Sequence, residues 1–258
     1  MFIIKVKEKS KLKKVGEWMG IYLNPGSAMF QKSLKSKIYV DKSGLLAILN
    51  ELVDTEQRYV CVSRPRRFGK SMAANMLAAY YGSSEDTSAL FASLEISQCA
   101  GYRDHLNQYD VLKINMQDFL SESQSIEDML AHLTACLIRD LKNGFPQIDF
   151  SYAKSLVSVM REVFAQTGRS FVILIDEWDC LFREYESNKE AQKQYLDFLR
   201  VWLKDKEYVG LAYMTGILPI KKYGSHSALN MFTEYSIDQS ARNGRLFWIH
   251  RGRGKEAV

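Results

Sequence analysis

An open α/β sheet, parallel and covered by helices on both faces, is the fold class this sequence predicts, and three observations predict it. Short β-branched and aromatic runs alternate along the chain with stretches of helical periodicity, the βαβα order that builds parallel sheets. The most hydrophobic of these runs, Phe171-Val172-Ile173-Leu174-Ile175, reads as a strand buried on both sides, and it ends in Asp176-Glu177. Thirdly, a strand-like run from Arg58 to Ser63 passes through a basic loop into Gly69-Lys70-Ser71 and then into the helix-forming stretch Met72 to Tyr81, which is the setting a phosphate-binding loop requires.

In chain order, residues 1–18 hold six lysines and two glutamates with little patterning, and they read as a basic extension ahead of a domain that begins near Met19. Tyr22-Leu23-Asn24-Pro25-Gly26 is a turn signal. Ile38 to Lys42 reads as a short strand or an extended lead-in to an apolar helix from Leu45 to Val53. Tyr39, close in sequence to the loop, offers a face on which an adenine could stack, although such a residue is more often core. A second strand is expected from Tyr109 to Met116, closing on the polar pair Gln117-Asp118. The next helix opens at Ser125 with Asp128 three residues on, carries Ile126, Met129, Leu130, Leu133, Leu137 and Leu141 on one face, and stops at Gly144. Another follows from Ser151, with Leu156, Met160, Val163 and Phe164 facing inward, and ends at Gly168. After the Phe171 strand, a helix bearing Tyr195, Leu196, Leu199, Trp202 and Leu203 leads to a fourth strand, Val209 to Met214, closing on Thr215-Gly216.

The loop Arg64-Pro65-Arg66-Arg67-Phe68-Gly69-Lys70-Ser71 can be assigned chemistry residue by residue. Gly69 lets backbone N–H groups close around an oxyanion, and Lys70 is a mobile charge able to reach β- and γ-phosphates. Ser71 offers a hydroxyl to Mg²⁺ at a helix N-terminus, where the dipole favours negative charge. Arg66 and Arg67 add positive charge beside a triphosphate, and Pro65 restricts the chain before it. Arg64 stands where the general G-x-x-x-x-G-K-[ST] pattern has its first glycine.

Asp176 and Glu177 complete the pattern, because ligands of open α/β sheets bind at the C-terminal ends of the strands. Gly69-Lys70-Ser71 and Asp176-Glu177 read together as a Walker A and Walker B pair, with Asp176 in the Mg²⁺ shell and Glu177 orienting or deprotonating an attacking water. Thr215, a polar residue at a strand tip, is a candidate sensor of the γ-phosphate or the water; a capping threonine is the plain alternative. A strand lies in sequence between the two motifs, so the expected class is a P-loop NTPase of the additional-strand (ASCE/AAA-like) type.

Composition sets the bounds. With 258 residues, 47% of them hydrophobic, the chain can bury one substantial core. Its net charge of +5 is concentrated at the ends, with a net +4 on residues 1–18 and again on 242–258, so the body between them is mildly acidic and shows no nucleic-acid footprint. No apolar run approaches membrane-spanning length. The four cysteines form no C-x-x-C pair, which excludes the usual zinc and disulfide patterns and points to a reduced, cytoplasmic setting. A homo-oligomer or a protein partner is left open.

The stretches YLNPG at Tyr22, IYVDKSGL at Ile38, SRPRRFGKS at Ser63, INMQDF at Ile114, ILIDEWD at Ile173 and TGILPIKK at Thr215 resemble, in order, the predicted AAA-ATPase-like family of bacterial proteins. That family has arginine at the position of Arg64 and often carries a restriction-endonuclease-like domain after the ATPase. The resemblance implies ATP binding and hydrolysis on Lys70, Ser71, Asp176 and Glu177, within a domain spanning residues 19–241. Residues 242–258 depart from the family, and with suitable codons their stretch from Arg245 to Glu256 reads, one nucleotide over, as family-like sequence. They are therefore expected to be out of frame, the other reading being a basic tail that binds nucleic acid or an acidic partner.

Overall fold

The computed structural model describes residues 19–65, 67–220, 229–237 and 249–251; the basic extension, Arg66 and most of the tail lie outside them. Six strands form one sheet: β1 (Tyr59–Ser63), β2 (Asp110–Asn115), β3 (Phe171–Asp176), β4 (Val209–Gly216), β5 (Thr233–Ile237) and β6 (Ile249–Arg251), in the spatial order β2-β3-β4-β1-β5-β6. The first five are parallel, and β6 adds an antiparallel edge. β4 stands between the loop-bearing β1 and the acid-bearing β3, which is the inserted-strand arrangement expected from the sequence.

Period-two alternation on the strands feeds two cores. Tyr59, Cys61, Leu112, Ile114, Ile173, Ile175, Ala212 and Met214 face one of them, which is closed by α6 (Met116–Ser121), α7 (Ile126–Gly144), α8 (Leu156–Thr167), α9 (Cys180–Glu184) and α10 (Lys189–Leu203). Val60, Val62, Val111, Val172, Leu174, Leu211 and Tyr213 face the other, closed by α1 (Ala28–Leu34), α2 (Gly44–Asn50) and α3 (Lys70–Tyr81) with the short turns α4 (Ser88–Phe91), Glu95–Gln98 and α5 (Tyr102–His105). Every residue of β3 is buried. The four cysteines are unpaired. No helix among the described residues is long and apolar enough to cross a membrane.

Several boundaries differ from expectation for identifiable reasons. The second strand stops at Asn115, whose side chain accepts from the Gln117 amide 3.2 Å away and starts α6, so the polar pair after it is helical. α8 begins at Leu156, not Ser151, because Ser155 and Ser158 form a reciprocal capping box. No strand forms over 38–42; that segment is extended, and α2 ends at Asn50, three residues short of the expected end, giving way to turns that include Asp54 at φ 58°. The Tyr22–Gly26 turn covers the sheet edge: Asn24 exchanges hydrogen bonds with Val111 on β2, each 2.7 Å, and donates to Asp110 at 3.0 Å. Tyr39 packs edge-on against Phe30 at 6.4 Å, half-buried, with its hydroxyl pushed up to about 12 by burial.

Leu174 is fully buried at the centre of the sheet, so Leu174→Ala is expected to lower unfolding free energy by about 2–5 kcal/mol, as large-to-small changes at closed sites do. Urea denaturation of the two proteins measures it; a loss below 1 kcal/mol would mean the core beneath α3 is looser than described.

Candidate functional site

Because β1 to β5 run parallel, their C-terminal ends share one edge. Ser63 pairs with Gly216, and Asn115 pairs with Asp176, which sets the tips of β2, β3, β4 and β1 in a row. α3 starts above β1 with Gly69 as its N-cap in the left-handed region at φ 78°, and Arg67 is also left-handed at φ 69°. The positive φ is what favours glycine at 69; an added Cβ would meet only the tip of the flexible Lys42 side chain, at 3.0 Å. Lys70 is nearly buried, and its Nζ donates to the loop carbonyls of Arg64 and Pro65 at 3.1 and 3.3 Å. The Arg64 amide donates to Gly216 O at 2.9 Å, tying the loop to the tip of β4. Lys42 donates to Phe68 O at 3.3 Å, and burial, reinforced by the Arg64 charge, holds its ammonium below the ordinary lysine range. Burial likewise lowers Arg64.

Asp176 sits beneath the edge. Its Oδ1 accepts from Thr215 Oγ1 and, at 3.0 Å, from the Glu177 amide, while Oδ2 accepts no hydrogen bond among the described residues. Thr215 is fully buried, so the structure joins it to Asp176 and does not turn it into the cleft. Glu177 takes φ 53°, a left-handed conformation that costs a non-glycine residue on the order of 1–3 kcal/mol. Its Oε2 accepts from Arg183 Nη2 at 2.6 Å. The fully buried Asp179, N-cap residue of α9, accepts from the amides of Ile217 and Leu218 at 3.0 and 2.8 Å, with Arg183 Nε 3.6 Å from the same oxygen. The Trp178 amide donates to Thr215 O at 3.0 Å, and the Tyr195 hydroxyl to Trp178 O at 2.8 Å. The tips of β3 and β4 are thus locked to each other.

Between α3 and α9 opens a cleft of about 920 Å³, lined by Arg67, Gly69, Lys70, Ser71 and Met72 on one side and by Asn115, Gln117, Glu177, Arg183 and Glu184 on the other. Its size suits a drug-sized or nucleotide-sized ligand. Of the residues singled out in the sequence, it brings together Arg67, Gly69, Lys70, Ser71 and Glu177. Asp176 and Thr215 are buried and do not line it; Arg64, Pro65 and Phe68 shape the loop without lining the cleft; Arg66 lies outside the described residues. Asn115, Asp179 and Arg183 were not anticipated. Asn115 could have been found as the residue ending the strand next to the acidic one, whereas Asp179 and Arg183 follow Glu177 in a stretch that reads as ordinary helix.

The protein fits the class of α/β proteins built around a phosphate-binding loop, with the acidic strand set one strand away from the loop strand. It belongs to the family described as predicted AAA-ATPase, whose model matches residues 27–225. An uncharacterized protein from the vnfD 5′ region of Azotobacter chroococcum mcd 1 is 27% identical over 205 residues, which is 78% of this chain and 37% of that protein. The chain therefore spans a little over a third of that relative's length.

Gly216 is required by close approach: a Cβ there would lie 2.6 Å from Trp178 Nε1 and 2.8 Å from Asp179 Oδ1, both on the buried turn after β3. Gly216→Ala should cost about 1–3 kcal/mol by overpacking. A calorimetric melt that leaves the transition unmoved would show that this turn is not packed as described.

Proposed function

We propose that this chain binds ATP with Mg²⁺ at the cleft between α3 and α9 and hydrolyses it. The observation that carries this reading is the convergence, on one cleft, of a left-handed glycine at the start of a 12-residue helix, Lys70, Ser71 and Glu177. The helix N-terminus and the loop amides favour a polyanion, and Lys70 can exchange its two carbonyl partners for β- and γ-phosphate oxygens. Arg67 adds charge at the rim.

The donor set suits Mg²⁺, a hard cation that is held by few protein oxygens and completes its shell with phosphates and water. The Ser71 hydroxyl and the uncommitted Oδ2 of Asp176 are of that kind, and Thr215 keeps Asp176 oriented through Oδ1. Bound there, the ion would offset charge on the phosphate oxygens. Glu177 lines the cleft with one oxygen on Arg183, and in this reading it accepts a proton from a water attacking the terminal phosphate. A second reading is a nucleotide-binding switch that barely turns over, and the same Arg183 contact favours it, because a carboxylate oxygen already bonded to a guanidinium is engaged and not turned to a water. An action on a further substrate, a partner protein or an oligomeric assembly belongs to neither argument.

Lys70→Ala should weaken Mg·ATP binding at least about tenfold, since charge-assisted contacts to phosphate are the strong ones. Isothermal titration measures this, and unchanged affinity would remove the nucleotide from this cleft. Glu177→Gln should bind ATP as the parent does and lose turnover by about 10²-fold or more, as the loss of a general base does. If the parent turns over measurably and Glu177→Gln matches it in a phosphate-release assay, the base is elsewhere; a parent with no turnover favours the switch.

A further inference from the structure

We propose that Arg183 is the residue by which this site recognises a nucleotide's terminal phosphate, and that in moving to it Arg183 releases Glu177 for use as a base. The inference rests on the nucleotide reading above and names a positioning residue for it. Arg183 lines the same cleft as Lys70 and Ser71, with its side chain 19% exposed. In this structure its guanidinium is divided between two carboxylates, Glu177 at 2.6 Å and Asp179 at 3.6 Å. Those partners are not equivalent. Asp179 is fully buried with its Oδ2 accepting from the amides of Ile217 and Leu218 and its Oδ1 without a hydrogen bond among the described residues, so it is a fixed anchor that holds its charge behind Arg183. Glu177 is 23% exposed at the cleft surface and reaches Arg183 from a left-handed backbone, so it is the partner that can be given up.

A terminal phosphate competes well for that guanidinium. It presents several charged oxygens to a fork of donors made for two-point contact, whereas Glu177 takes a single bond from Nη2. A nucleoside diphosphate ends at its β-phosphate and lacks the third phosphate that would reach Arg183, so with it Arg183 stays on Glu177. The consequence is an order of events written into one turn of α9: Glu177 is held until the phosphate to be attacked has arrived. Asp179 extends this to the loop after β4, since Ile217 and Leu218 follow Thr215-Gly216 directly and hang on the same carboxylate as Arg183.

The test compares the affinities of Mg·ADP and of a non-hydrolysable Mg·ATP analogue for the full chain and for Arg183→Ala, with Arg183→Lys and Arg183→Gln alongside. The expected result is that Arg183→Ala lowers the melting temperature, by leaving buried Asp179 without its cation, and cuts the preference for the triphosphate over the diphosphate about tenfold, and that Arg183→Lys, which keeps the charge without the fork, recovers only part of that preference. Arg183→Gln carries the same expectation if the alanine variant does not fold. An unchanged triphosphate-to-diphosphate ratio would overturn the proposal, as would an equal fall in both affinities, the mark of a purely structural residue. Failure of the parent to bind either nucleotide would instead overturn the nucleotide reading, and this inference with it.

Discussion

Burial of β3 on both faces is the constraint from which the site follows. From Phe171 to Ile175 the strand can offer only apolar side chains, because helices cover it above and below and a polar group there would have no partner. The first polar atoms it presents are those of Asp176, at the edge where all five parallel strands end. Asp176 is still nearly buried, so its carboxylate needs partners, and the neighbouring strand supplies Thr215. The chain then has to leave the sheet sharply, and it does so by placing Glu177 in a left-handed turn that aims the side chain into the cleft. One packing requirement therefore fixes both where the acids are and how they differ: Asp176 is buried against Thr215, and Glu177 lines the cleft.

The same locking explains why β4 lies where it does. Gly216 has no side chain, so Trp178 and Asp179 can press against the end of β4, and Asp179 takes up the two amides beyond it. Arg64 O accepts from Lys70 while Arg64 N donates to Gly216 O. The loop, the tip of β4 and the turn after β3 thus share hydrogen bonds, so a change at one is felt at the others.

Much of this was legible in the chain itself. The four strands β1 to β4, the two long amphipathic helices α7 and α10 and the loop carrying Lys70 and Ser71 declare themselves through apolar runs, 3.6-residue spacing and the Gly-Lys-Ser signature. β5 did not, because Thr233-Glu234-Tyr235 is of mixed polarity and only its pairing with β1 and β6 makes it a strand. Short helices such as α1, α6 and α9 span five to seven residues, too few to show a period. The out-of-frame reading of the tail concerns codons and not packing; of that tail, residues 249–251 pair with β5, and the remainder lies outside the described residues.

What stayed hidden in the site was hidden for a physical reason. Lys70 and Glu177 sit in motifs whose spacing is set by the phosphate they would meet, so their role leaves a local signature. Arg183 acts through contacts across a turn, and an arginine three residues into a helix after Cys180 is, as sequence, only a good helix former. Its meaning comes from three-dimensional placement: four positions on from Asp179, it shares a carboxylate with the backbone of the next strand's exit loop and a second one with the cleft. A charge held between a buried anchor and a partly exposed carboxylate has one direction in which it can be drawn, toward an anion in the cleft, and that asymmetry is what separates Arg183 from the surface ion pair at Arg200 and Asp197, which has no second carboxylate in ion-pair contact among the described residues.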